Sequence, residues 1–159
     1  MTPPADDVDR IMAVMTAAFD PAYGEAWSRR QVTDALLIGN CHYGLIWAGG
    51  SDIDGIAPEP EVPVAGFYLS RAGFEEEELL LFAIHPEYRR QGLGKTLLAA
   101  FRDAAKARGA HRLLLEMRRG NPAQSLYQRL GFRQIGERPK YYRAQHGERI
   151  DAITFALSL

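Results

Sequence analysis

The apolar run Leu79-Leu80-Leu81-Phe82-Ala83-Ile84 stops at His85-Pro86, and a short basic loop, Arg89-Arg90-Gln91, leads into Gly92-Leu93-Gly94-Lys95 at the start of a helical pattern. A strand that turns through glycines into a helix is built to hold a pyrophosphate. The first backbone N–H groups of a helix have no partner within it, and the helix dipole favours negative charge beside them. Gly92 and Gly94 carry no Cβ, so the backbone there can curl and come close to phosphate oxygens.

Two familiar phosphate loops fail on this sequence. A dinucleotide fingerprint requires G-x-G-x-x-G, and Leu97 stands where the third glycine belongs. Gly94-Lys95-Thr96 resembles the end of a P-loop, but the first glycine of that motif falls on Arg89, and no later apolar strand ends in a magnesium-binding Asp. Composition narrows the field further. The 159 residues suffice for one compact α/β domain, 1–159, with a sizeable core. Formal net charge is −1 with no basic block, which argues against a nucleic-acid partner. No apolar run approaches the roughly 20 residues of a membrane span, and the N-terminus lacks the basic start and apolar stretch of a signal peptide. Cys41 is the only cysteine, which leaves no intrachain disulfide and no thiolate cluster. His42, His85, His111 and His146 have no metal-ligand spacing and read as turn or surface residues, so no metal is expected. The expectation is a cytoplasmic protein without a membrane partner.

Periodicity supplies the order of elements. Val8, Ile11, Met12, Met15 and Phe19 predict a helix over about 6–19, with Asp6 or Asp7 as its cap. Ser28-Arg29-Arg30-Gln31 is a capping box for a second helix with Val32, Ala35 and Leu36 inward. Strands are predicted at 42–48, 64–70 and 77–84, with a polar Pro/Gly/Asp connection over 49–63. The helix opened by the glycines turns Leu93, Leu97, Phe101 and Ala104 inward and stops at Gly109. A strand follows at 112–117. A helix then starts at Asn121-Pro122, with Ala123, Leu126, Tyr127 and Leu130 inward, and ends at Gly131. Two last strands, near 132–137 and 150–157, flank a polar hairpin containing Tyr141 and Tyr142. The run Glu75 to Glu78 reads as a solvated turn, with attraction of a cationic acceptor as the alternative. Strands alternating with helices imply one mixed sheet with helices on both faces.

Arg89-Arg90-Gln91-Gly92-Leu93-Gly94 resembles the Q/R-x-x-G-x-G/A loop of the GNAT superfamily of acyl-CoA-dependent N-acyltransferases, and the order of elements is similar over nearly the whole chain. Within it, the chain is most similar to the ribosomal-protein alanine N-acetyltransferases. The stretches that carry this are 78–89, 113–118, Asn121 through Tyr127 to Phe132, and Arg138-Pro139-Lys140-Tyr141-Tyr142 followed by Asp151-Ala152. The segment from Phe19 to Ser28 looks like that family's acceptor-side loop. The resemblance implies an α/β fold with a mixed, mainly antiparallel central sheet flanked by helices. The sequence enters its first helix almost at once, so the family's first edge strand is expected to be short or absent. The connection over 49–63 is longer than usual, and the step from Asn121 to Tyr127 is one residue shorter than in the ribosomal enzymes.

The resemblance further implies direct transfer of an acetyl group from acetyl-CoA to a primary amine, without an acyl-enzyme. Phe82, Ala83 and Ile84 match the strand whose backbone pairs with the pantetheine arm; Arg89, Arg90, Gln91, Gly92, Leu93, Gly94 and Lys95 match the pyrophosphate cradle. Asn121 would hydrogen-bond the cofactor arm, cap the Pro122 helix, or do both. Glu116 ends an apolar strand, where partial desolvation favours basicity, and matches the family's general base, acting through water; its alternatives are a solvated strand-end glutamate or a salt bridge to Arg118. Tyr127 matches the general acid for the leaving thiolate; its alternative is an inward helix aromatic. Tyr141 and Tyr142 would shape the acceptor groove. About a tenth of a free α-amine is neutral at pH 7, against a few parts in ten thousand for lysine, so a modest base suits a chain terminus. The acceptor is expected to be a protein N-terminus, with a small-molecule amine as the second reading and a non-catalytic acyl-CoA-binding module as the third.

Overall fold

The computed structural model describes residues 5–49, 62–144 and 146–159. The chain runs α1 (Ala5–Ala18), a 3-10 turn (Pro21–Tyr23), α2 (Arg29–Leu37), β1 (Cys41–Trp47), β2 (Val64–Ala72) and β3 (Glu76–Ile84). A second 3-10 turn (Pro86–Tyr88), α3 (Leu93–Ala107), β4 (Arg112–Arg118), α4 (Gln124–Leu130), β5 (Arg133–Arg143) and β6 (Arg149–Ser158) complete it. The six strands form one sheet in the order β1-β2-β3-β4-β6-β5. Every neighbouring pair is antiparallel except β3 and β4, which run parallel. This is the mixed, mainly antiparallel sheet that the resemblance implies, and among the described residues no strand precedes α1. No helix among them is long and apolar enough to cross a membrane.

Each face of the sheet buries its own core. Leu97, Leu98 and Phe101 of α3 pack with Tyr127 of α4 onto Leu113, Leu115 and Phe155. On the other face Ile11, Val14 and Met15 of α1, with Val32 and Leu36 of α2, cover Leu45, Phe67, Leu69 and Leu81. Complete burial of such a side chain is worth about 1.5–3 kcal/mol, so these stripes fix both helix layers to the sheet. Burial alternates along β4, but in β3 the register with β2 shifts at Leu80, between Leu79 opposite Ser70 and Leu81 opposite Leu69, so Leu79 packs with the α3 layer and Leu81 and Ala83 with the α1–α2 layer. The Ser28 capping box forms as expected: Gln31 N–H donates to Ser28 Oγ at 3.2 Å and Ser28 N–H to Gln31 Oε1 at 2.8 Å.

The structure corrects several local expectations. Asp7 lies inside α1 rather than at its cap, because its carboxylate accepts from Tyr43 Oη at 2.6 Å and from Arg10 at 2.8 Å. In α3 the buried set includes Leu98 and Ala105, with Ala104 only half-buried. A turn precedes α4, which begins at Gln124 and has no side-chain cap; Asn121 Oδ1 accepts from Ala123 N–H at 2.9 Å within that turn instead of capping the helix. β5 runs on to Arg143, so Tyr141 and Tyr142 belong to a strand and not to the hairpin turn. The connection over 49–63 falls largely outside the described residues.

Glu76 to Glu78 also belong to β3 rather than to a solvated turn. Pairing with both β2 and β4 draws them into the sheet, and Glu77 is fully buried. Its carboxylate accepts from Ser70 Oγ at 2.6 Å and from Arg108 through Nε at 2.9 Å and a terminal nitrogen at 2.5 Å. This clamp ties the C-terminus of α3 to β2 and β3. Removing one partner of a buried pair strands the other charge and costs about 3–5 kcal/mol, the lower end applying to a partly exposed arginine. Arg108→Ala should therefore lower the unfolding free energy by about 3 kcal/mol in a urea titration.

Candidate active site

β3 and β4 are hydrogen-bonded only from Glu76 opposite Arg112 to Leu79 opposite Leu115. Beyond that point β3 stays with β2, β4 stays with β6, and the two strands part. A cavity of about 340 Å³ opens in the gap. Its walls are Glu78 to Phe82 of β3, with Glu78 paired to Arg71, Leu115 to Met117 of β4, Phe19 and residues 24–27 of the α1–α2 connection, Gln31 of α2, Asn121 and Tyr127, and Tyr141 and Tyr142.

Glu116 reaches this cavity from β4 with 16% of its side chain exposed. Thr154, its cross-strand partner on β6, donates through Oγ1 to Glu116 Oε2 at 3.3 Å. Arg138 Nε lies 3.1 Å from the same oxygen. The ion pair with Arg118 considered from sequence does not form. Arg118 turns to Glu25 instead, Nε to Oε1 at 3.1 Å, and lays its guanidinium over the Tyr23 ring at 3.7 Å.

Tyr127 sits on the inner face of α4, edge-on to Phe82 and Phe132 with ring centres 6.1 and 5.9 Å away. Burial, reinforced by the negative charge of Glu25, pushes its phenol well above the ordinary tyrosine range. The inward position that its helix spacing predicts and a place in the cavity wall are therefore the same position. Tyr142 is pushed up to about 12 by burial first, then by Glu116 and Glu25. Tyr141 is half exposed, edge-on to Tyr142 at 5.2 Å and beneath the Arg138 guanidinium at 4.8 Å.

An irregularity in β5 puts the two tyrosines there. Arg138 pairs with Ala152 and Tyr142 with Ile150, so three residues of β5 oppose a single residue of β6. Pro139 has no N–H for the ladder, and Lys140 takes φ +56° while its N–H donates to Asp151 Oδ1 at 2.9 Å. The strand is at the sheet edge, where such a bulge is tolerated.

The glycine loop closes the same end of the gap. Arg89 spends its side chain on the fold, donating to the carbonyls of Ile84 at 3.1 Å and Ala18 at 3.4 Å. Gly92 occupies the N-cap of α3 at φ +78°, a left-handed conformation, and provides no side-chain cap. Among the described residues, the amides of Leu93, Gly94 and Lys95 have no acceptor. A Cβ on Gly94 would lie 3.2 Å from Leu126, 3.6 Å from Ile84 and 3.9 Å from Phe82, so this residue lets the helix start press against β3 and α4. Ala83 and Ile84 do not line the cavity, nor do residues 89–95; they flank it through Phe82. The arrangement suits an elongated ligand with an anionic middle at α3 and a reactive end between Glu116 and Tyr127.

Sequence reasoning missed Glu25, Arg118 as its partner, Arg138 and Thr154. Thr154 was findable only through the register of β4 and β6. Glu25 lies in the segment 19–28 that resembles the acceptor-side loop, yet nothing in the residue order marks it.

Residues 54–134, about half of the chain, match the acetyltransferase (GNAT) domain family. The ribosomal protein bS18-alanine N-acetyltransferase of Escherichia coli (strain K12) is 39% identical over 97 residues, 60% of this chain and 65% of that protein. The match therefore spans just under two thirds of that relative's length. A Bacillus subtilis (strain 168) relative, provisionally given the same name, is 30% identical over 139 residues, 86% of this chain and 82% of its own. The crystal structure of the ribosomal-protein-S18-alanine N-acetyltransferase from Escherichia coli is similar with a TM-score of 0.78 at 28% identity, over 99% of this chain and 91% of that one. The chain belongs to the GNAT acetyltransferase family.

Proposed function

We propose that this chain is an acetyl-CoA-dependent N-acetyltransferase acting on the N-terminal α-amine of a protein, with a ribosomal protein of the bS18 kind as the leading acceptor. The observation that carries the reading is the convergence of a carboxylate, Glu116, and a buried phenol, Tyr127, on one cavity beside the uncapped start of α3. The amides at Leu93, Gly94 and Lys95, at the positive end of the helix dipole, would take the diphosphate. The free edge of β3 over 80–84 offers backbone groups to an amide-bearing arm, with Asn121 beside it. Acetyl-CoA, when bound, supplies an electrophilic thioester.

Glu116 accepts a proton from the acceptor ammonium, directly or through one water, leaving a nitrogen with a free lone pair. That nitrogen forms the new C–N bond to the acetyl carbon as the C–S bond breaks, and it sheds its second proton. Tyr127 donates its phenolic proton toward the departing sulfur and regains one from solvent. The balance is one amide, one thiol and one proton released. Tyr127 can play this part because burial keeps it protonated far into alkali. Tyr141 and Tyr142 flank the entrance, and Tyr141 reaches solvent, which suits an acceptor with a chain trailing outward better than an enclosed small amine. An acceptor of ribosomal origin would place the reaction in the cytoplasm.

The test follows CoA release with a peptide of the bS18 N-terminal sequence and a panel of small amines. The proposal expects turnover on the peptide; turnover only on small amines moves the acceptor to the second reading, and binding without release with any amine supports a module without catalysis. Glu116→Gln and Tyr127→Phe should each lower kcat by about 10²-fold or more while acetyl-CoA affinity is kept, since general acid–base groups contribute on that scale. Gly92→Ala forces a left-handed residue to carry a Cβ, costing about 1–2 kcal/mol, and should weaken acetyl-CoA binding in calorimetry. With the peptide, kcat/KM should fall as pH rises past about 8, because the ammonium from which this route starts is then lost from the free acceptor. Because burial raises the phenol of Tyr127, loss of its proton should cause no fall in rate below about pH 10.

A further inference from the structure

A carboxylate without a part in this mechanism shares the cavity. Glu25 enters from the α1–α2 connection, with only 15% of its side chain exposed. Its anchorage is specific: Arg118 binds Oε1 alone, and Arg118 is itself held against the Tyr23 ring and is only 14% exposed. Among the described residues, Oε2 has no donor. The cavity lining contains no lysine or arginine. The Glu25 charge reaches Tyr127 on α4 and Tyr142 on β5, raising both phenols, which places it between the walls from which acid and acceptor contacts come. A fixed carboxylate, half neutralised by a buried guanidinium and open on one oxygen, is a receptor for a hydrogen-bonding cation.

We propose that Glu25 is a specificity-determining residue of this site, whose free oxygen binds the acceptor's terminal ammonium and holds it beside Glu116 before deprotonation. The proposal rests on the acetyltransferase reading and goes beyond it in naming the group that selects a charged terminus. Glu116 then takes the proton from a nitrogen already held in place. Arg118 is a positioning residue that acts through Glu25.

The experiment compares Glu25→Gln with the unaltered chain, using the bS18 N-terminal peptide and the same peptide with its α-amino group replaced by hydrogen. Glutamine keeps an oxygen for Arg118, so the loop anchor survives while the charge is lost. KM for the amine peptide should rise about tenfold to hundredfold, the range of one charge-assisted hydrogen bond, with a much smaller change in kcat. Acetyl-CoA affinity and binding of the des-amino peptide, both by calorimetry, should stay as they were. Glu25→Asp, which keeps the charge, should recover part of the loss. An unchanged KM in Glu25→Gln, or equal weakening of both peptides, overturns the assignment and leaves Glu25 as a loop anchor. If the unaltered chain acetylates the peptide, that failure concerns Glu25 alone; if it acetylates no amine, the acetyltransferase reading fails and this inference with it.

Discussion

Four residue pairs hold β3 to β4, and the parallel ladder then ends at Leu79 and Leu115. Each strand keeps an antiparallel partner on its far side, so the sheet can divide without exposing either strand to unfolding. A parallel pair in the middle of an otherwise antiparallel sheet requires a crossover, and here that crossover is α3. The helix that makes the parallel pairing possible is thereby delivered with its N-terminus at the open end of the gap. A strand edge with free backbone groups and a helix start with free amides arrive together as consequences of one topological choice.

The surrounding elements fit the chemistry to that gap. Glu116 comes from β4 just past the last pair with β3, and α4 brings Tyr127 under Phe82. The edge strand β5 uses Pro139 and a left-handed Lys140 to bring Tyr141 and Tyr142 to the cavity wall, Tyr142 half-buried and Tyr141 exposed. Charge is arranged in the same sense. Arg118 and Arg138 each engage one oxygen of a cavity carboxylate, and their aromatic neighbours Tyr23 and Tyr141 hold the guanidinium planes. Far from the gap, where β3 and β4 are still paired, Glu77 and Arg108 clamp α3 to the sheet. The two ends of α3 thus have opposite duties, one structural and fixed, the other left open to a ligand.

Much of this was legible in the residue order because periodicity reports burial. The stripes on α1, α2 and α3, the capping box at Ser28 and the strand–glycine–helix turn at 79–95 each follow from local rules that the tertiary structure does not override. The candidate residues Glu116, Asn121, Tyr127, Tyr141 and Tyr142 are those that match family motifs, and they line one cavity. What local rules could not supply were partners distant in sequence. Arg118 reaches back to Glu25 and Arg138 to Glu116, pairings fixed by strand order and by the bulge in β5. The acidic run at 76–78 misled for the same reason, since its partners Arg108 and Arg112 lie about thirty residues on and convert a polar stretch into a paired strand.

The central claim is that the open start of α3 grips the diphosphate of coenzyme A while the free edge of β3 aligns its arm. It is tested most directly by following backbone amide resonances of the isotope-labelled protein as CoA is added. The account predicts that the largest shifts fall on the amides of Gly92, Leu93, Gly94 and Lys95, with a second group at 82–84. Saturation with shifts concentrated elsewhere in the sheet, and those amides unmoved, would contradict it.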